Sequence, residues 1–248
     1  MSETRARSAF ISFSALFTAV ALLFCFIGIR YSSSEKHAAI TAVPLSPFPT
    51  IVIDAGHGGE DGGASLYGGA PEKELNLQIA NYLRDMLTVM GFKIVMTRTD
   101  DTLLYDKNAD YHGHKKSMDL ANRLKIARET ENAVLISIHM NAFPETKYSG
   151  LQVYYSKNAA SSQKLAFLVQ ETNKSLLTPE NERKIKQAGS NIYLLDRFEG
   201  TAILIECGFL SNDAERTLLN TAEYRQKLAA VFLSAIMKFT SQDENNIK

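Results

Sequence analysis

The chain has 248 residues, 27 of them basic and 27 acidic, and 45% are hydrophobic, a composition typical of a folded domain rather than a disordered chain. Residues 1–46 carry four basic and two acidic side chains, which leaves 23 basic and 25 acidic residues in the remainder. A net charge of −2 lacks the basic surface that phosphate binding requires, so we expect no nucleic-acid partner.

The N-terminal segment is the first predicted element. Residues 8–29 contain no charge and are long enough, as a helix, to cross a hydrocarbon core of roughly 30 Å. Because Arg5 and Arg7 precede this run, we predict that residues 1–30 anchor the chain in a membrane, with the remainder exported. A cleaved signal segment is the alternative, although signal peptides have shorter apolar runs of roughly 7–15 residues. Residues 31–49, which are rich in Ser, Ala and Pro, are predicted to be a linker.

Residues 50–240 are predicted to form one domain in which short strands alternate with helices. Apolar and β-branched runs predict strands at 50–54, 92–97, 133–139, 151–155, 191–195 and 202–206. Apolar residues at helical spacing predict helices near 75–86, 118–127, 165–177 and 224–239, which leaves residues 241–248 as a tail. This order predicts an α/β fold with a mainly parallel, twisted sheet flanked by helices on both faces.

Three polar residues stand at or just after the ends of predicted strands. His57 follows the first strand in a glycine-rich turn, while His139 and Glu206 close two later strands. In open α/β sheets, ligands bind beyond the carboxyl ends of the strands. A glutamate that ends an apolar run needs a cation, a hydrogen-bond network or a proton if it is buried. Each histidine alone is explained by a structural hydrogen bond, but together these residues suggest a zinc site with an open coordination position.

Four motifs in order carry a resemblance to a known family. They are IDAGHGG at 53–59, EKELNL at 72–77, ISIHMNA at 136–142 and IECGFLSN at 205–212. Together they closely resemble the zinc-dependent N-acetylmuramoyl-L-alanine amidases, the Amidase_3 family, over about residues 51–239. The short chain, with a membrane segment and one catalytic domain, is most similar to the spore-cortex, germination-specific members.

The resemblance implies a role for four residues. His57, Glu72 and His139 would be the ligands of one Zn²⁺ ion, and Glu206 would be the catalytic carboxylate. Glu72 does not stand out from the residues alone, because an acidic residue in the first turn of a helix is also explained by the helix dipole. Zinc held in this way activates a water molecule and polarises the scissile carbonyl, while Glu206 transfers the proton to the departing amine.

The implied substrate is the amide bond between N-acetylmuramic acid and L-alanine in peptidoglycan, so the partner is a glycan strand with its stem peptide. A zinc peptidase that cuts stem-peptide bonds is the first alternative, since the same metal chemistry cleaves either amide. A non-catalytic, membrane-anchored wall-binding protein is the second. Both the anchor and the substrate predict a membrane-anchored, extracytoplasmic protein, on the cell-wall side or in the forespore intermembrane space. A regulatory protein is a further candidate partner.

Other polar residues receive weaker interpretations. Asp54 either supports a histidine through a hydrogen bond or caps the glycine turn, and Asn141 is a candidate for orienting substrate. His112 and His114 are interpreted as part of a solvated loop. Glu60 and Asp61 are interpreted as surface charges.

Overall fold

The computed structural model describes residues 48–65, 69–106, 108 and 113–244, with side chains to residue 241. These residues belong to one compact unit. The predicted anchor, nearly all of the predicted linker and His112 lie outside the described residues. Within the described part of the chain, no helix has the length and apolar character needed to span a membrane.

The centre of the domain is a six-stranded sheet. Its strands are β1 (Thr50–Ala55), β2 (Ile94–Met96), β3 (Ala133–Asn141), β4 (Gln152–Tyr155), β5 (Lys186–Gln187) and β6 (Thr201–Phe209). The spatial order is β2-β1-β3-β6-β4-β5, and β2, β1, β3 and β6 run parallel to one another. Strand β4 is antiparallel to β6 and parallel to β5, so the sheet is mixed. The α/β class is confirmed, and the pairing of β4 with β6 is where the sheet departs from a parallel arrangement.

Helices cover the sheet. They are α1 (Glu72–Val89), α2 (Lys115–Glu129), α3 (Ala160–Leu176), α4 (Tyr193–Arg197), α5 (Asp213–Leu219) and α6 (Ala222–Glu244). Successive side chains of a strand point to opposite faces, and β1 illustrates the two cores that result. Ile51 and Ile53 pack with α1, α3 and α6, whereas Val52 packs with α2 and α4. Cys207 is buried in the first of these cores.

One predicted strand is wrong. The segment 191–195 was assigned as a strand from its short apolar run, but Tyr193 begins the one-turn helix α4. A short apolar run does not distinguish a strand from a buried helical turn. Here Leu194 and Leu195 are buried on the face that α2 also covers, while the edge strand is the polar pair Lys186–Gln187.

Helix α1 is positioned by an amphipathic pattern and two end signals. Leu75, Ile79 and Leu83 recur every four residues and are buried against the sheet. Acidic residues in the first turn favour this end of the helix dipole. Gly91 follows the C-terminus of α1 and stops the helix there, with a φ of +86° that a glycine adopts without steric cost. The start of α1 is thereby held at the carboxyl edge of the sheet.

The carboxyl ends of β1, β3 and β6 lie side by side. Because these strands are neighbours in register, His139 of β3 pairs directly with Glu206 of β6. The amide of Gly56 continues the β1 ladder by donating to the carbonyl oxygen of Ile138 at 3.0 Å. The predicted clustering of strand-end residues therefore follows from the parallel part of the sheet.

Candidate metal centre

His57 lies in a left-handed backbone conformation, with φ of +61°, in the turn after β1. This region is uncommon for residues other than glycine and requires support from the surroundings. The Arg123 guanidinium, buried beneath the turn, donates to the carbonyl oxygens of His57 and Ala55, each at 2.7 Å. Gly58 and Asp61 close the turn through reciprocal backbone hydrogen bonds of 2.9 Å. The turn therefore presents the imidazole in a fixed place.

Gly56 allows His139 to approach the turn. A Cβ atom at position 56 would lie 2.2 Å from Cε1 of the His139 ring, which is far inside van der Waals contact. The glycine preceding His57 is thus required by a close approach of side chain to backbone. It lets the two imidazoles meet, with ring centroids 5.0 Å apart.

Glu72 joins the two histidines. Its Oε1 lies 3.2 Å from Nε2 of His57 and 3.1 Å from Nδ1 of His139. The backbone amides of Met140 and Ala64 donate to Oε1 and Oε2 at 3.0 and 2.7 Å. The glutamate is only 3% exposed. Its carboxylate is therefore held by hydrogen bonds on both oxygens and faces both imidazoles.

The donor set of this cluster fits a metal ion. One ligand atom from each of His57, Glu72 and His139 lies within 4.8 Å of the others, so the three residues can hold a cation. Burial alone would raise the pKa of Glu72, but hydrogen bonds and charge interactions with both histidines lower it well below its usual range. An ionised carboxylate with two imidazole nitrogens is a ligand set that suits zinc.

Two supporting residues escaped the sequence interpretation. Asp61 was assigned as a surface charge, but its Oδ2 lies 2.8 Å from Nδ1 of His57. Burial raises the pKa of Asp61, but the hydrogen bond and charge interaction with His57 lower it overall, and an ionised carboxylate accepts this bond from Nδ1, which leaves Nε2 of His57 as the candidate ligand atom. Asn76 lies one turn after Glu72 and donates to Glu72 and to the Gly56 carbonyl oxygen at 3.3 and 3.1 Å. The four-residue spacings from His57 and from Glu72 were the available signals.

Glu206 stands apart from this cluster and is half-buried, with its Oε2 atom shielded from solvent. Its Oε2 has no hydrogen-bond partner among the described residues. Its pKa is raised to about 7 overall: burial raises it most, the charge of His139 opposes this, and the charge of Glu72 raises it further while that of His57 lowers it. The sequence predicts that a buried glutamate here needs a cation, a hydrogen-bond partner or a proton, and the raised pKa agrees with this prediction. A carboxyl group with such a pKa exchanges protons readily near neutral pH.

The histidines and Glu206 line a cavity of about 400 Å³ at the carboxyl edge of the sheet, here called the central cavity. Asn141 also lines it, consistent with a contact to substrate. Asp54 also lines it, but among the described residues its side chain has no hydrogen bond to a histidine. Its carboxylate instead accepts from Ser137, Thr97 and Arg123 at 2.6 to 2.8 Å. Asp54 therefore fixes Arg123 and, through it, the His57 turn.

His114 is the second histidine of the loop before α2. It lies at the N-terminus of this helix without a side-chain cap, and it is not part of the metal cluster. This position agrees with its interpretation as a solvated loop residue.

An α/β sheet that gathers two imidazoles, a buried carboxylate and a separate proton-exchanging carboxyl group around one cavity is typical of metal-dependent hydrolases. Residues 51–238 match the family model Amidase_3, N-acetylmuramoyl-L-alanine amidase. The chain belongs to this family, as its motifs predicted, and it is a hydrolase of the N-acetylmuramoyl-L-alanine amidase class.

Individual relatives agree with this assignment. The chain is 36% identical over 201 residues to the germination-specific N-acetylmuramoyl-L-alanine amidase of Bacillus subtilis, an alignment that covers 81% of this chain and 83% of the relative. It is 37% identical, with a TM-score of 0.74, to the CwlD amidase from Clostridioides difficile solved in complex with the GerS lipoprotein, covering 78% and 98% of the two chains. A second amidase, from Clostridium difficile 630, gives 31% identity and a TM-score of 0.66, covering 78% and 97%.

Proposed function

We propose that this protein hydrolyses the amide bond between N-acetylmuramic acid and L-alanine in peptidoglycan, using one Zn²⁺ ion held by His57, Glu72 and His139. The observation that carries this proposal is the convergence of three ligand atoms within 4.8 Å beside a separate carboxyl group whose Oε2 atom is buried and unpartnered among the described residues. Membership in the amidase family supports the choice of bond. The zinc peptidase alternative shares the metal chemistry but lacks this support.

Zinc in this position would polarise the scissile carbonyl and activate a water molecule for attack. The protein's own contribution begins with positioning. Asp61 fixes the imidazole of His57 by accepting a hydrogen bond from Nδ1, which leaves Nε2 facing the Glu72 carboxylate, the other proposed ligand. Glu72 likewise fixes Nδ1 of His139. The donor atoms are thereby preorganised before substrate arrives.

Glu206 is the proton carrier of the proposed reaction. Its carboxylate would accept the proton of the attacking water and then donate it to the nitrogen of L-alanine, because an amide nitrogen leaves readily only when protonated. Burial raises the pKa of this carboxyl group, which supports the donor step by making its protonated form more accessible. The unpartnered Oε2 supports an open hydrogen-bonding position at this carboxyl group.

We further propose a setting for this activity. The germination-specific relative favours a role in spore cortex and germination, in which the reaction would precede muramic-lactam formation. The GerS complex of the C. difficile relative supports a protein partner. The uncharged run at residues 8–29 supports a membrane anchor that keeps the domain on the cell-wall side, where peptidoglycan lies.

The test is digestion of purified peptidoglycan with the full-length, zinc-loaded protein, followed by mass spectrometry of the products. The proposal predicts intact stem peptides that begin with a free L-alanine amine. Cleavage inside the stem peptide would identify a zinc peptidase, and binding without any cleavage would identify a wall-binding protein. Metal analysis of the same preparation is expected to give one zinc per chain, and it should give none after replacement of His57 and His139.

A further inference from the structure

A second cleft opens beside the central cavity and shares a wall with it. Its volume is about 270 Å³, and Asn141 and Tyr154 line both spaces. Two cations line it, Arg183 and Lys186, and no acidic side chain is among its described lining residues. Positive charge is therefore presented next to the place where the scissile bond would lie.

Arg183 is held firmly in this cleft by neutral groups. Its Nε donates to the Ser149 carbonyl oxygen at 2.6 Å, and its Nη1 donates to Gln152 at 3.0 Å. The guanidinium also stacks over the Phe209 ring, 4.4 Å from the centroid. These contacts orient the planar guanidinium while leaving its charge without compensation by a hydrogen-bonded anion.

No carboxylate within the described ranges forms an ion pair with Arg183. Glu215 influences it through space, but this carboxylate accepts instead from the backbone amides of Gly150 and Phe209 at 2.9 and 2.7 Å. Lys186 lies on the edge strand β5 and is exposed. An oriented arginine with a nearby lysine and no acidic partner is a suitable receptor for a carboxylate.

Four of the eight residues that line the cleft are aromatic: Phe143, Tyr148, Tyr154 and Phe209. Phe143 and Tyr148 are 49% and 37% exposed, and their rings meet edge to face with centroids 5.2 Å apart. Large aromatic side chains at a cleft offer rigid apolar contact area to a ligand. The cleft thus combines an anion receptor with an apolar wall, which fits a peptide that carries a carboxylate.

We propose that the cleft bounded by Arg183, Lys186 and Phe209 binds a carboxylate of the stem peptide while the scissile amide occupies the central cavity. The inference rests on the proposed amidase function. In a stem peptide, the residue after L-alanine is a glutamate linked through its side chain, so its α-carboxylate is free unless it is amidated. Such a group lies roughly 7 Å along the peptide from the scissile bond, a distance that adjoining cavities accommodate. Arg183 is then a residue that determines substrate specificity.

The experiment compares two muropeptides that differ only in a free or an amidated α-carboxylate. With the full-length, zinc-loaded protein, we expect Arg183→Gln to raise KM for the free acid by roughly tenfold or more, the loss expected for a charge-assisted bidentate contact. For the amidated substrate, both kcat and KM should stay unchanged. Arg183→Lys should recover part of the loss, since it keeps the charge without the planar fork. Lys125→Gln is the matched control, because this exposed cation lies on α2, away from the cleft.

A binding measurement separates this inference from the proposed function. Calorimetric titration of the free stem peptide, in its acid and amidated forms, reports the cleft without requiring hydrolysis. Binding that depends on both the carboxylate and Arg183 supports the inference even if no amide bond is cut. Equal loss of both substrates in Arg183→Gln, or equal binding of both peptides to the wild-type protein, would overturn it. If circular dichroism shows that Arg183→Gln is misfolded, the wild-type comparison and Arg183→Lys decide the matter.

Discussion

Replacing Asp61 by asparagine tests whether His57 is a metal ligand that a carboxylate orients. In the protein, Oδ2 of Asp61 lies 2.8 Å from Nδ1 of His57, on the opposite side of the ring from Glu72. The substitution keeps the size of the side chain but removes its charge. The imidazole would lose both its preferred tautomer and part of its basicity, which are the properties that a neighbouring carboxylate gives to a metal-binding histidine.

The expected magnitude follows from this single contact. Loss of such a supporting carboxylate lowers metal affinity by roughly 10- to 100-fold, or about 1.4 to 2.7 kcal/mol. The upper part of this range is the better expectation, because the bond is short and the side chain of His57 is only 16% exposed. Folding should change little, since Asp61 is itself near the surface and Lys116 is its other ion-pair partner.

Zinc affinity is measured by competition with a chromophoric chelator at pH 7. Glu60→Gln is the matched control, because this adjacent carboxylate pairs with Lys115 at 2.6 Å and does not belong to the cluster of His57, Glu72 and His139. It should bind zinc as the wild-type protein does. Equal affinities for Asp61→Asn and Glu60→Gln would refute the reasoning, and an unfolded Asp61→Asn protein, seen as a loss of thermal transition, would assign Asp61 to stability instead.

Three further predictions concern the surroundings of the cluster. Glu206→Gln should lower hydrolysis by roughly 10²- to 10⁴-fold, the usual contribution of a positioned proton carrier, while zinc content measured by metal analysis stays the same. The pKa of Asp54 is lowered to about 2: burial raises it, but the Arg123 charge and hydrogen bonds outweigh this. Its ionised form therefore adds about 2 kcal/mol of stability above pH 4, lost as pH falls through 2, so urea unfolding at several pH values should show a larger loss of stability for wild type than for Asp54→Asn. Gly56→Ala should abolish zinc binding, because the new methyl group would occupy the place of an imidazole, whereas Gly62→Ala meets only ordinary contacts and should bind zinc normally in the same chelator assay.

Each of these has a contradicting outcome. Full activity of Glu206→Gln would remove it from the reaction, and loss of zinc from the same variant would make it a ligand. A wild-type protein whose stability does not change between pH 4 and pH 2 more than that of Asp54→Asn would contradict the buried ion pair. Normal zinc binding by Gly56→Ala would show that the His139 ring can move away from the turn after β1 without loss of the site.

Much of the site could be predicted from the chain because it lies where strands end. His57, His139 and Glu206 each follow an apolar run, and the carboxyl ends of neighbouring parallel strands meet at one edge of a sheet. Glu72 was accessible only through the resemblance. It arrives from the start of a helix, and nothing in local propensity separates an acidic residue that stabilises a helix from one that also faces two histidines.

The missed features depend on tertiary contacts. From sequence alone, Asp61 is predicted to be a surface charge. It contacts His57 only because the turn folds back, with His57 in a left-handed conformation that Arg123 supports from 66 positions away. The helix at Tyr193 and the antiparallel course of β4 are decided by packing on the completed sheet, since short apolar segments fit several arrangements. Long, periodic helices such as α1 and α6 carry their own signal and were predicted well.

The three proposed ligand side chains come from segments separated by 15 and 67 positions, on a turn, a helix and a strand that meet only after the sheet has assembled. An unfolded chain cannot reproduce that arrangement, so any ion captured there favours the native state by mass action. Binding of the ion and folding of the domain are then thermodynamically coupled. Removal of the ion by a chelator would lower the free energy of unfolding as well as abolish activity. A molecule that supplies the ion to the site, or keeps it bound there, would therefore stabilise the fold as well.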